Sequence, residues 1–300
     1  MIVWITYFMI FWIVRIFVEN IGHNFLHLQT IININQIQKT MKKKLLFIVV
    51  LLSVTFCANA QDSIPSLKHL PQAIQDLVEN MVYVEGGTFT MGNDQFEYDN
   101  PFNIAKPEHQ VTLSPYFICR YEVTQEVWDA VMGNNFSRVK GAKLPVTNIC
   151  WDDCQEFVLK LVLMTGINFR LPTEAEWEFA ARGGNKSCHT EYSGGNAIDS
   201  VAWCQFNSGG VLHPVGQKLP NELGLYDMNG NVWEWCYDYY GIYDSSAQTN
   251  PKGTLNASTN VTRGGCYTLR PEDCRAFSRY GINPSTKSPY GGFRLAATPG

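Results

Sequence analysis

An α+β chain with little regular structure is what this sequence predicts, and three observations carry that reading. Brief strands with period-two alternation come first. Three short helices follow between residues 124 and 182. After Gly183 the chain is mostly Gly, Asn, Ser and Pro turns with short aromatic strands between them. Strands and helices segregated in this way point to α+β rather than to alternating α/β units. Internal repeats and low-complexity tracts are absent from the sequence.

Taken in order, Gln61 to Asn80 reads as a polar-to-amphipathic lead-in, a linker with a helical turn or two. Met81-Val82-Tyr83-Val84 reads as a strand that enters the Gly86-Gly87 turn, and Thr88 to Met91 as a second strand. Gln110 to Ile118 alternates and is expected to form one further strand. Thr124 to Met132 is a short helix stopped by Gly133. Asp152 to Met164 places Cys154, Phe157, Val158 and Leu161 on one face, which predicts burial of that face. Thr173 to Arg182 opens on a capping box, Thr173 with Glu176, directly after Pro172, and Gly183 ends it.

The front of the chain reads as a targeting segment. Met41-Lys42-Lys43-Lys44 is a basic n-region, Leu45 to Phe56 an apolar h-region, and Ala58-Asn59-Ala60 a small-residue cleavage pattern that would leave Gln61 first. Residues 1–40 lie upstream of that complete signal and read as an extension translated from an early start codon, with Met41 as the true start. The stretch Met1 to Val14 is shorter than the roughly 20 residues a spanning helix needs. The domain order is therefore an upstream extension (1–40), a signal peptide (41–60), a linker (61–80) and one folded domain (81–297). The expected location is outside the cytoplasm, periplasmic or at the cell surface, with no membrane span in the mature chain.

Composition narrows the partners. Cleavage after Ala60 removes five basic residues and one acid, leaving 18 Lys+Arg against 26 Asp+Glu, a net charge of −8. An acidic domain is poorly suited to nucleic acid or an anionic membrane surface. Eight cysteines remain of the nine, a number that suggests disulfides in an oxidising compartment. Eight allow about 105 pairings, and spacing cannot choose among them. Cys150 and Cys154 would stack on one helix face rather than bond.

The most informative run is Asn221 to Trp235. Asp227 and Glu234 bracket the turn-forming Asn229-Gly230-Asn231, and Trp233 and Trp235 follow at once. Such a turn can aim carboxylates and backbone carbonyls at one point, as a hard cation such as calcium requires. Spacing alone leaves this level with a plain turn in which Asp227 caps the backbone and Glu234 forms a salt bridge. With Phe89-Thr90-Met91-Gly92, Tyr121-Glu122-Val123-Thr124, Pro145-Val146-Thr147-Asn148, Arg170 to Glu178, His213-Pro214-Val215-Gly216, Arg263-Gly264-Gly265 and Gly292 to Ala296, the run resembles the formylglycine-generating enzyme (sulfatase-modifying factor) family. The match extends over Met81 to Ala297.

That resemblance implies a compact C-type-lectin-like fold, low in regular structure and often held by calcium. It places Asp227 and Glu234 on the ion through their side chains, and Gly230 and Val232 through their carbonyls; no second ion is expected. In the active enzymes two cysteines five residues apart hold copper(I), and a sulfatase cysteine is oxidised to formylglycine. Cys274 matches the second of that pair, and Leu269 stands where the first belongs. A leucine cannot bind copper. Cys266, in the place of the family's Ser after Arg-Gly-Gly, is the one candidate substitute, read in preference as apolar filler or a structural disulfide partner of Cys274. The resemblance further implies a pocket walled by Trp233, Tyr267, Phe293 and Arg294, suited to a peptide or glycan, with Tyr290 replacing an Asn.

Three functions follow from different classes. A non-catalytic, calcium-supported module binding protein or glycan, or serving in envelope assembly, is preferred because of Leu269. A formylglycine-generating oxidase is the alternative, with copper as its cofactor. An ergothioneine-type sulfoxide synthase is set aside, since its iron-binding helical domain and His triad are missing.

Overall fold

The computed structural model describes residues 67–95, 104–254 and 257–299. The expected upstream extension and signal peptide lie outside the described residues. Among those described, no helix is long and apolar enough to cross a membrane.

The lead-in carries the helical turns that the sequence suggests. A 3-10 turn at Leu67–His69 runs into helix α1 (Gln72–Glu79), where Ile74 is fully buried and Leu77 nearly so. Both join the core built around Trp128 and Phe157. A pair of apolar residues three apart on a two-turn helix is enough to dock it. Residues 67–80 therefore pack with the folded core rather than hanging free of it.

The described strands form three small sheets, ordered β1 (Met81–Val84), β4 (Tyr116–Cys119), β11 (Ala296–Ala297), β5 (Phe169–Arg170); β10 (Gly291–Gly292), β6 (Trp233–Tyr239), β8 (Asn260–Arg263), β9 (Arg279–Ile282); and β2 (Gly87–Met91), β3 (His109–Leu113), β7 (Gln248–Thr249). Strands β1 (Met81–Val84) and β2 (Gly87–Met91) match expectation, but the single strand expected over 110–118 is two. β3 (His109–Leu113) pairs antiparallel with β2, and β4 (Tyr116–Cys119) pairs with β1 in another sheet. Ser114-Pro115 divides them, because proline offers no N–H to a ladder. In β3, His109, Val111 and Leu113 are buried while Gln110 and Thr112 face solvent.

The helices lie where their patterns place them. α2 (Gln125–Met132) ends at Gly133 in the left-handed conformation, φ 73°. α3 (Trp151–Thr165) buries Cys154, Phe157, Val158 and Leu161 as predicted. Phe157 stacks on Trp128 at 5.3 Å, and Phe293 meets its edge at 5.3 Å. α4 (Glu174–Ala181) keeps the capping box: Thr173 Oγ1 accepts from Glu176 N, and Thr173 N donates to the Glu176 carboxylate.

α4 is buried on every side, three glutamates included. Each is matched by arginine, the condition for burying charge. Glu176 pairs with Arg170, Glu174 with Arg279, and Glu178 with Arg182 and Arg263. Burial alone would raise the Glu178 pKa, but Arg182 and Arg263 hold it below the ordinary value. From Gly183 to Val232 the only α-helix is α5 (Ile198–Val201). β5 (Phe169–Arg170) precedes α4. β6 (Trp233–Tyr239), β7 (Gln248–Thr249), β8 (Asn260–Arg263), β9 (Arg279–Ile282), β10 (Gly291–Gly292) and β11 (Ala296–Ala297) complete the sheets.

Candidate functional site

The loop before β6 is built from backbone conformations that few residues tolerate. Asp227 and Asn231 have φ of 56° and 53°, and Gly230 has φ 76°. A Cβ at Gly230 would sit 2.0 Å from the Trp203 carbonyl oxygen, so only glycine fits. Asn231 N donates to that carbonyl and Gly230 N to Gly264 O. Asn229 is tied to Ser193 by two hydrogen bonds. The Asn-Gly-Asn core is thus a clamp between the 193–204 segment and the Arg-Gly-Gly turn.

Glu234, the second residue of β6, is fully buried and meets Arg294 in a fork: Nε to Oε2 at 2.6 Å and Nη2 to Oε1 at 2.5 Å. Trp177 Nε1 also donates to Oε2, at 2.6 Å. Arg294 spends its remaining donors on the carbonyls of Cys119, Arg120 and Tyr226. Asp227 Oδ2 accepts from Gly216 N at 2.7 Å, which gives the His-Pro-Val-Gly segment its role. Both features of the plain-turn alternative are therefore present.

A further fact separates the two readings. Asp227 Oδ1 is buried with no hydrogen-bond partner. Glu122, also buried, accepts from Asn231 Nδ2 at 2.7 Å and Val232 N at 3.2 Å. Three buried carboxyls, Glu122, Asp227 and Glu234, thus share the charge of one guanidinium. Burial, then the charges of Asp227 and Glu234, push Glu122 well above the ordinary carboxylate range. Asp227 is pushed up to about 6 by burial, with Glu234 acting in the same sense against Gly216 N–H and Arg294. The protein alone is short of positive charge here.

The cysteines behave otherwise. All eight described are free thiols, so the disulfides suggested by their number are not formed, and the Cys266–Cys274 pair is not bonded. Cys274 closes a 3-10 turn (Pro271–Cys274) and is fully buried. Its pKa is pushed well up by burial, with Cys266, Cys204 and Asp273 adding to the rise. Burial raises Cys266 too, against hydrogen bonds from Thr268 and Leu269. Leu269 is half-buried and binds the adjacent segment through its carbonyl, which accepts from Gln205 N.

The residue 67–299 segment matches the model of the sulfatase-modifying factor enzyme 1-like domain. The chain belongs to that family. It is 32% identical to the formylglycine-generating enzyme of Streptomyces coelicolor over 296 residues, covering 75% of this chain and 91% of that one. The chaperone protein LppX of Paenibacillus barcinonensis is 34% identical over 221 residues, 57% of this chain and 75% of LppX. Among solved structures, Treponema denticola variable protein 1 superposes with a TM-score of 0.66 at 32% identity, over 73% of this chain and 95% of that one. The fold is that of the sulfatase-modifying factor family, and family relatives carry names as different as an enzyme and a chaperone.

Within that family fold, the residues expected to hold calcium suit the ion. Asp227 offers an unpartnered oxygen in a buried, acid-rich loop, and Glu234 Oε1 keeps a lone pair beyond its one bond to Arg294. Among the described residues no three His, Cys, Asp or Glu side chains converge as a metal cluster. The expected set asks for two, with the carbonyls of Gly230 and Val232. Copper does not suit the thiol site, where burial keeps both sulfurs protonated and a soft cation needs thiolates.

The expected pocket divides. Buried Trp233 packs edge-on to Tyr280 at 4.5 Å, Tyr267 lies 5.6 Å from half-exposed Tyr290, and Trp233 N donates to Tyr290 O, which joins the two pairs. Arg294 and Phe293 do not belong to this group. Both are completely buried, Arg294 by its charge pairing and Phe293 by the Trp128–Phe157 stack. Glu122 and Trp177 bind the loop from two other motifs, and the sequence alone does not mark them. Their signal was present, since both sit in the quoted family segments, but single residues of a motif do not declare their partners.

Proposed function

We propose that this chain is an exported, non-catalytic member of its family, a calcium-supported scaffold that presents an aromatic surface to a protein or glycan partner, in envelope assembly or in a binding role. The observation that carries the reading is Leu269 in the place of a copper ligand, beside two buried, protonated thiols. Asp227, Glu234 and the carbonyls of Gly230 and Val232 hold the calcium. Bound there, the ion supplies the positive charge that Arg294 alone does not. Glu122 fixes the loop by holding Asn231 and Val232, and the loop in turn holds Trp233 against Tyr280. The direct test is the oxidase assay: given copper(I), oxygen and a peptide bearing Cys-x-Pro-x-Arg, the wild-type protein leaves the cysteine unchanged. Aldehyde in the product would establish the alternative, a formylglycine-generating oxidase.

Two further outcomes are expected. Calcium at a hundredfold excess over its Kd should stabilise the protein by about 3 kcal/mol relative to chelator, since only the folded state binds it. Asp227→Ala should erase that difference in melting temperature, and identical wild-type curves in calcium and chelator would remove calcium from the reading. Export predicts that protein recovered from its own cells begins at Gln61. Peptides from residues 1–40 in the mature material, found by mass spectrometry, would instead favour an N-terminal anchor.

A further inference from the structure

A cavity of ≈ 410 Å³ opens at the N-terminus of α4, and it includes none of the calcium-loop or thiol residues. Its floor is the Glu174–Arg279 pair. Arg279 donates to Glu174 Oε1 at 2.6 Å and Oε2 at 2.7 Å, and also to the carbonyls of Gly241 and Ile104. The rings of Tyr240 and Tyr243 flank its guanidinium at 4.2 and 4.1 Å. Tyr243 O–H adds a bond to Glu174 Oε1 at 3.1 Å. This pair is neutral and engaged, so it offers no hold for an anion.

Asp238 in the wall is different. It is 2% exposed, and its Oδ2 accepts from Glu174 N at 2.8 Å. No described residue donates to Oδ1 within hydrogen-bonding distance. Gly253, φ 72°, lies against it, and a Cβ there would come within 2.8 Å of Asp238 Cβ and 3.2 Å of Oδ1. Glycine thus keeps the space beside the free oxygen open. The rim is apolar and aromatic, with Ile242 82% exposed, Tyr239 half-exposed and Tyr243 packed on His109 at 4.8 Å. Asp244 adds an exposed carboxylate.

We propose that this cavity binds a primary ammonium group on an aliphatic stem, such as a lysine side chain of a peptide, with Asp238 Oδ1 as its counter-ion. An ammonium suits the site better than a guanidinium, because Oδ2 is already occupied by Glu174 N–H. One open oxygen serves a point charge, whereas a planar fork seeks two. Cavities of this size accept small ligands, and Ile242 and Tyr239 can cover the methylene stem.

The charged groups around Asp238 set its response to pH. Burial pushes its pKa up to about 8, Glu174 and Glu176 add to the rise, and Glu174 N–H and Arg279 oppose it. His109 and Asp244 stand further out on the lining. A bound ammonium favours the ionised form, so binding at neutral pH expels a proton from Asp238. Affinity should rise by about tenfold per pH unit below pH 8 and level off above it.

The test is calorimetric titration of the full mature chain with Nα-acetyl-lysine methylamide, its Nε-acetylated form and Nα-acetyl-arginine methylamide. The lysine probe should bind saturably, more tightly than the arginine probe, and the neutral Nε-acetyl form not at all. Heats measured in buffers of different ionisation enthalpy should report close to one proton released at neutral pH. Asp238→Asn keeps an acceptor for Glu174 N–H and should abolish lysine binding with an unchanged melting curve. If that variant fails to fold, proton release by the wild type still decides. Equal binding of the Nε-acetylated probe, no proton release, or no binding at about 10 mM probe would overturn the proposal. None of these outcomes depends on calcium or on the oxidase assay.

Discussion

Arg294→Met should destabilise the protein by about 3–5 kcal/mol, the largest loss expected of any single side-chain change around the calcium loop. The guanidinium is fully buried and satisfies Glu234 and three backbone carbonyls at once. Methionine fills much of the same volume, so the effect measures charge rather than a cavity. Removing the one cation leaves Glu122, Asp227 and Glu234 facing each other in a dry interior, where an unpaired carboxylate is costly. In chelator the melting temperature should fall by roughly 10 °C for a domain of this size. Calcium should restore part of that loss, because the ion supplies charge to the same three carboxylates. The double change Arg294→Met with Glu234→Gln should be less damaging than the sum of the two single changes, the signature of a direct pair. Additive losses, or a melting curve unchanged by Arg294→Met, would show that the pair carries no net energy.

How much of this was legible in the sequence depends on the range of the interaction. The helix over Thr173–Arg182 declared itself, because its capping box and terminal glycine act within a few residues. The buried stripe of Cys154, Phe157, Val158 and Leu161 did so too, since one face repeats at helical spacing. The division of 110–118 was readable from Pro115, whose missing N–H outranks the alternation around it. α1 was harder: Ile74 and Leu77 are a weak signal alone and acquire meaning only from the Trp128 core they meet. The site shows the same limit. Asp227, Gly230, Val232 and Glu234 lie in one run and are legible together, whereas Glu122, Trp177 and Gly216 arrive from up to 110 residues away and are not. Arg294 reads from the sequence as part of a binding surface because an arginine near aromatics suits both a pocket and a core. Only its four buried acceptors decide between them.

Leu269→Cys should convert a chain that does not hold copper(I) into one that does, a change from no measurable retention to a stoichiometric complex. The substitution restores a cysteine five residues before Cys274 within the same segment. Copper(I) prefers two thiolates, and a metal that binds them lowers their pKa by stabilising the ionised form. Burial now holds Cys274 protonated, and one sulfur beside Leu269 gives the ion nothing to bridge. The backbone cost is small, because Leu269 is half-buried and its structural contact is the carbonyl that accepts from Gln205, which any residue retains. Copper retained by Leu269→Cys after gel filtration, and lost on Cys274→Ser in that background, would show that the pocket differs from an active site by one side chain. Oxidation of a Cys-x-Pro-x-Arg peptide by the variant alone would then place the loss of activity at Leu269. Failure of the variant to retain copper, with its melting temperature unchanged, would move the cause elsewhere. The first candidate is Cys266, whose thiol takes the space of a smaller serine hydroxyl beside Cys274 and would be tested next as Cys266→Ser together with Leu269→Cys.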